Sequence, residues 1–346
     1  MKVPARTPVI VAWLALWLLV ALHLALVGGA SQGAEAPSIR AVESIGMTVA
    51  DMDRSVEFYS RTVGFEKTFD VEVVSTAYAR LQGVGGSRMR VVRLRLGDED
   101  LELTQYLATS ARPIPTDSRS HDRWFQHVAI VVSDMDVAYR WLKALKVEHV
   151  SPAPQRLPDW NPAAGGIRAF YFKDPDAHVL EILQFPAGKG QAKWHEPSDR
   201  LFMGIDHTAI VVADTERSID FYRDRLGLAI VGRSENYGPE QERLNNVSGA
   251  RLRITTLRAA AGPGIELLEY LAPRDGRPYP TDAGASDLLH WQARLRSADV
   301  TAALNRAGQS RLISAGVVTL ADPPLGFRTA ALLRDPDGHA LQIVSR

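Results

Sequence analysis

From Ser44 to Asp51 the chain reads SIGMTVAD, a short, largely apolar stretch closed by an acidic residue. That pattern predicts a strand followed by a helix whose first turn the aspartate caps. It returns at His127–Asp134 (HVAIVVSD), at His207–Asp214 (HTAIVVAD) and, in more polar form, at Gln292–Asp299 (QARLRSAD). After the first and third copies the predicted helix carries a Phe-Tyr pair, Phe58-Tyr59 and Phe221-Tyr222, and stops at Gly64 or Gly227, where glycine takes a left-handed backbone without steric cost. Alternating stretches such as MRVVRLRL and LRITTL then predict strands. Each unit therefore reads β-α-β-β-β.

The units repeat at nearly constant spacing. Ser44 lies 163 residues before His207, and LELTQYLA around Glu102 lies 164 before IELLEYLA around Glu266. Arg112-Pro-Ile-Pro-Thr-Asp117 returns 165 residues later as Arg277-Pro-Tyr-Pro-Thr-Asp282, and Asp174-Pro-Asp-Ala-His178 returns 161 later as Asp335-Pro-Asp-Gly-His339. The chain is thus a duplication, and each half is itself double, which makes four modules. The polar, aperiodic run from Gly188 to Arg200 reads as a linker. The expected organisation is a first domain over residues 41–187, a linker at 188–201 and a second domain over 202–346.

Composition narrows the chemistry. Forty basic and forty acidic residues give no net charge, so nothing points to nucleic acid. Cysteine is absent, which excludes disulfides and thiolate ligands and leaves His, Glu, Asp and Gln to hold any metal. The N-terminus stands apart: behind Lys2 and Arg6, Val9 to Val27 is apolar except for His23, and the small residues Gly28, Gly29 and Ala30 follow. Residues 1–36 are expected to be a signal peptide cleaved near Ala30 or an uncleaved membrane anchor, with the remainder exported, periplasmic or secreted.

Paired β-α-β-β-β modules with a first-strand His, an Asp seven residues later and a Glu on the closing strand resemble the vicinal oxygen chelate superfamily, which includes glyoxalase I, extradiol dioxygenases and metal-free binding proteins. The resemblance covers the chain from Glu43 to Val344 and implies an α+β fold, four modules paired into two tandem glyoxalase-like domains. It also implies that each pair of modules forms one cupped sheet with a divalent metal (Zn, Mn, Fe(II) or Ni) at its centre. Carried over by position, the N-terminal pair offers Ser44, Glu102, His127 and Glu181. The C-terminal pair offers His207, Glu266, Gln292 and Gln342, a weaker set because of its two glutamines. Serine is a poor ligand for these metals, so Glu102, His127 and Glu181 are the expected first centre, with Glu102 or Glu181 free to act as base. A carboxylate in an apolar strand such as HVLEILQF needs a partner or a cation, which agrees with that placement.

Three functions stay open at this point: a glyoxalase-type lyase or isomerase working by proton abstraction beside a metal-bound carbonyl, an extradiol-type dioxygenase, and a metal-free binding protein. His178 and His339 follow Asp-Pro-Asp turns and read as turn residues. His290 could replace Gln292 only if a bulge at Trp291 shifted the strand, and the repeat spacing argues for Gln292 instead.

Overall fold

The computed structural model describes Met1 and residues 38–308, 312–321 and 324–346. The segment expected to be a signal or anchor lies, beyond Met1, outside the described residues. The first module comprises β1 (Ile39–Thr48), β2 (Glu66–Val74), β3 (Arg88–Leu96) and β4 (Glu99–Tyr106). The second comprises β5 (Gln126–Val132), the short β6 (Glu148–His149) and β7 (Gln155–Arg156), then β8 (Arg168–Lys173) and β9 (Val179–Gln184). The third comprises β10 (Phe202–Val211), β11 (Ala229–Tyr237), β12 (Arg251–Arg258) and β13 (Gly264–Ala272). The fourth comprises β14 (Trp291–Ser297), β15 (Val318–Thr319), β16 (Thr329–Arg334) and β17 (Ala340–Ser345).

A helix follows the first strand of every module, and each begins where the sequence placed its cap. Asp51, Asp134, Asp214 and Asp299 accept from the backbone N–H three residues on. In the first and third modules the helix runs on into a π-helical turn, Tyr59–Val63 and Asp220–Arg225. Gly64 takes φ +82° at the end of the first, and Gly227 takes φ +83° just past the second.

The two modules within each half of the chain, the first with the second and the third with the fourth, do not share a sheet. One sheet runs β15-β16-β17-β14-β1-β4-β3-β2, joining the fourth module to the first, and the other runs β11-β12-β13-β10-β5-β9-β8-β6, joining the third to the second. Antiparallel pairing of β1 with β14 and of β5 with β10 makes each seam. The expected grouping of adjacent modules is therefore corrected, and the reason lies on the helical faces. Met52, Tyr59 and Val92 of the first module share one core with Val128, Met135 and Phe170 of the second. A matching core joins Tyr222 and Leu267 of the third to Leu295 and Leu304 of the fourth. Adjacent modules thus bury their helices against each other, and their first strands are left to pair elsewhere.

The repeated motifs are the fasteners. The Tyr59 hydroxyl donates to Asp174 at 2.9 Å and the Tyr222 hydroxyl donates to Asp335 at 3.0 Å, so each Phe-Tyr helix is tied to the Asp-Pro-Asp turn of the following module. His178 and His339 brace those turns through Asp174 and Asp335, as turn residues should. The two Arg-Pro-x-Pro-Thr-Asp segments clasp one another: Arg112 meets Asp282 at 2.6 Å and Arg277 meets Asp117 at 2.8 Å.

Candidate metal centre

Side chains alternate across β5, so Val128, Ile130 and Val132 enter the helical core while His127, Ala129 and Val131 face the other way. The register then decides which residues meet. Ala209 of β10 sits opposite His127, and His207 opposite Ala129. Parallel neighbours bring Glu181 beside Ala129 and Glu266 beside Ala209. Two histidines and two glutamates from the second and third modules therefore converge in one cup.

The distances are those of a donor set. His127 Nε2 lies 3.1 Å from Glu181 Oε2, and His207 Nε2 lies 3.7 Å from the same oxygen and 3.3 Å from Glu266 Oε2. Donor atoms of His127, Glu181 and His207 all fall within 4.8 Å of one another, as a shared cation requires. Both nitrogens of His127 and Nε2 of His207 are buried without a well-formed hydrogen bond among the described residues. Buried polar atoms are nearly always satisfied, so these orphans fit a metal ion.

Outer partners orient the set. Strand β10 bulges between Ile205 and His207, and Asp206 Oδ2 lies 2.9 Å from His207 Nδ1. That contact leaves Nε2 directed at the glutamates. Asp206 is held in turn by Trp194 Nε1 at 2.7 Å and Arg258 Nη2 at 2.8 Å. Burial disfavours its charge, but His207 and Arg258 outweigh this and keep the carboxyl below its usual range. Burial likewise opposes a proton on His207, yet the charges of Glu266, Asp206 and Glu181 push its pKa up to about 9. The histidine is thus tuned to hold a cation, and its proton must leave before Nε2 can bind one. Thr256 donates to Glu266 Oε1 at 2.7 Å. A cavity of about 530 Å³ opens onto Glu181, His207 and Glu266.

The first–fourth cup preserves the positions and loses the chemistry. By the same register Ser44 stands for His207, Gln292 for His127, Glu102 for Glu266 and Gln342 for Glu181. Where the other cup has Ala129, this one has Arg294, which is 2% exposed. Its guanidinium pairs with Glu102, and its Nε donates to Gln342 Oε1 at 2.9 Å. Arg93 adds a second cation on Glu102 at 3.1 Å. A fixed arginine charge fills the place a metal would take, so Glu102 is an ion-pair partner here and is not brought together with His127 and Glu181. Nor do His207 and Glu266 meet Gln292 and Gln342. Strand β14 runs in register through Trp291 opposite Met47 and Gln292 opposite Gly46, with no bulge to bring His290 inward.

The sequence reading missed Asp206, Thr256 and Arg294. Asp206 carried a signal, an acidic residue directly before a candidate ligand. Arg294 carried one too, as a charged residue on the inward alternation of β14. Trp194 lies in the segment read as a plain linker, which in fact folds as the 3-10 turn Ala192–His195 against the cup.

Comparison with known proteins agrees with this architecture. The family described as Glyoxalase/Bleomycin resistance protein/Dioxygenase superfamily matches residues 41–182 and 204–343. A 2-epi-5-epi-valiolone epimerase from Actinomyces sp is 33% identical over 166 residues, which span 44% of this chain and 83% of that protein. A lactoylglutathione lyase from Arabidopsis thaliana is 24% identical over 299 residues, covering 86% and 88%. Among solved structures, a glyoxalase I mutant from Zea mays aligns with TM-score 0.59 at 17% identity, covering 88% of this chain and 92% of that one, which is likeness of fold. With both halves matched and the module architecture in place, the chain belongs to the glyoxalase/bleomycin resistance protein/dioxygenase superfamily.

Proposed function

We propose that the second–third cup is a divalent-metal centre that moves a proton at the carbon beside a carbonyl, in an isomerase, epimerase or lyase reaction on a small oxygenated substrate. The observation that carries this reading is the convergence of His127, Glu181 and His207, with Glu266 beside His207, around buried imidazole nitrogens that have no hydrogen-bond partner among the described residues. The mixed nitrogen and oxygen donors suit Zn, Mn, Fe(II) or Ni. When bound, such an ion polarises the carbonyl and stabilises the enediolate left by proton removal. Glu181 and Glu266 come from opposite halves of the cup, so one carboxylate can take a proton from one side of a substrate and the other can return it on the other side. The names of the relatives, an epimerase and a lyase, support chemistry of this kind.

The subset His127, Glu181 and His207 also favours a second reading, oxygenation at a two-histidine, one-carboxylate iron site. Glu266 weighs against it, standing 3.3 Å from His207 on the side that an oxygenase keeps open.

Hydroxyacetone in D2O tests the first reading. The metal-loaded protein is expected to exchange the hydrogens beside the carbonyl, and Glu181→Gln to slow exchange by about 10² or more. A metal-loaded protein that leaves hydroxyacetone protonated refutes it, and ring opening of catechol by the iron form would establish the alternative. We also propose export, on the strength of the apolar run from Val9 to Val27 behind Lys2 and Arg6. Intact mass after cell fractionation checks this, and a full-length chain confined to the cytosol refutes it.

A further inference from the structure

A chain of four buried carboxamides runs along the wall of the second–third cup. Asn161 Nδ2 donates to Asn236 Oδ1 at 2.8 Å, Asn236 Nδ2 donates to Gln241 Oε1 at 3.0 Å, and Gln241 Nε2 donates to Asn245 Oδ1. Every link points the same way, so each amide fixes the orientation of the next. The last, Asn245, leaves its Nδ2 buried with no hydrogen-bond partner among the described residues. Tyr171 is the cross-strand neighbour of Glu181, and its ring lies 4.8 Å from that of His127. Asn236, Gln241 and Tyr171 line the same cavity as Glu181, His207 and Glu266.

The molecule supplies its own control. In the first–fourth cup, Val73 takes the register position of Asn236 and Leu332 that of Tyr171, and Tyr78, third residue of the helix Thr76–Gln82, stands where Gln241 is third in the helix Pro239–Asn245. That cup folds with apolar and aromatic residues in these places and fills with Val73, Tyr78, Phe327 and Leu332. It is also the cup whose ligand positions are Ser44, Gln292 and Gln342. The amide wall is therefore not demanded by the fold. It accompanies the complete donor set.

We infer that this wall reads substrate hydroxyls, and that the cup takes a polyhydroxylated ketone. The carbonyl would lie toward His207 and Glu266, and the hydroxyls toward Tyr171, Gln241 and Asn236. The inference rests on the metal-centre reading above. A carboxamide with one N–H and one lone pair engaged by its neighbours still offers another N–H and another lone pair. That pairing matches a hydroxyl, which donates and accepts at once. The wall itself carries no charge, and the cations of the same cavity, Lys189, Arg233 and Arg258, are not part of it.

Calorimetry on the zinc-loaded full chain tests this with two ligands that present the same α-hydroxy ketone to the metal, 2-hydroxycyclohexanone and a pentahydroxycyclohexanone. The pentahydroxy ligand is expected to bind about tenfold more tightly or better. Tyr171→Phe, which removes a single hydroxyl, and Gln241→Leu are each expected to narrow that gap. Equal affinities in the parent protein overturn the inference, and that arm needs no variant to fold. A gap unchanged in both variants, or tighter binding of S-lactoylglutathione than of the pentahydroxy ligand, overturns it as well. Wall-dependent binding without proton exchange upholds the wall and sinks the proton-transfer reading. Exchange without the preference does the reverse.

Discussion

Single residues set the charge states on which both cups depend. Asp206 acts on the centre only through His207, and outer partners of this kind typically govern metal affinity by about 10–100-fold. Asp206→Asn should weaken zinc binding by about that factor in a competition titration against a chelator, while the fold, read by circular dichroism, stays intact. An unchanged affinity would reduce Asp206 to a brace for Trp194 and Arg258. His290 offers a different test. It is buried, with Nε2 3.3 Å from Gln292 Oε1. Burial, with the charge of Arg334 behind it, pushes its imidazole down to about 4 from the usual value of about 6.5. The folded state therefore takes up this proton later than the unfolded chain does. The contribution to stability is whole above about 6.5 and drains away as pH falls from there toward 4, by about 3 kcal/mol over the window. Urea titrations between those values should show the decline, and His290→Asn should lack that part of it.

At the scale of elements, the caps, the glycine stops and the strand order were legible because they are local. Asp51 and Gly64 act within a few residues of themselves, and the sequence displays both partners. The choice of partner module was not legible. Whichever module β5 pairs with, His127 keeps the same alternation and Asp134 caps the same helix, so the local pattern is silent on the seam. The repeated Arg-Pro-x-Pro-Thr-Asp segments held the missing information, but their offset shows a duplication and gives no hint that each arginine binds the other copy's aspartate. The two halves of that clasp differ in burial. Arg277 also holds Asp122, whose side chain is fully buried and accepts from Arg277 Nη2 at 2.7 Å. Arg112 reaches Asp282, which is largely exposed, and Asp287 at 2.7 Å. Removing Arg277 strands a carboxylate in the interior, so Arg277→Ala should cost about 2–4 kcal/mol in urea unfolding. Arg112→Ala should cost clearly less, since Arg112 and Asp282 face solvent and Asp287 is only partly buried. Equal costs would show that the clasp works as one unit, whatever the burial of its parts.

On the scale of the whole molecule, the crossed pairing changes how the candidate metal donors are divided between the cups. Had adjacent modules paired, the donors would divide into two mediocre sets, one histidine and two carboxylates in one cup, one histidine, one carboxylate and two glutamines in the other. With the second module joined to the third, both histidines and two glutamates fall into a single cup, and the other receives Ser44, Gln292, Gln342 and the fixed cation of Arg294. Metal analysis separates these arrangements without a further structure. One ion per chain is expected, held by residues from both sequence halves. His127→Ala and His207→Ala should each remove it, and the double variant should lose nothing more, because residues sharing one site are not additive. Glu102→Gln should leave metal content unchanged while removing the buried partner of Arg294, so its effect belongs in the unfolding curve. Two ions per chain, with each histidine variant losing one of them, would mean that the halves hold separate centres and that the crossed pairing is wrong.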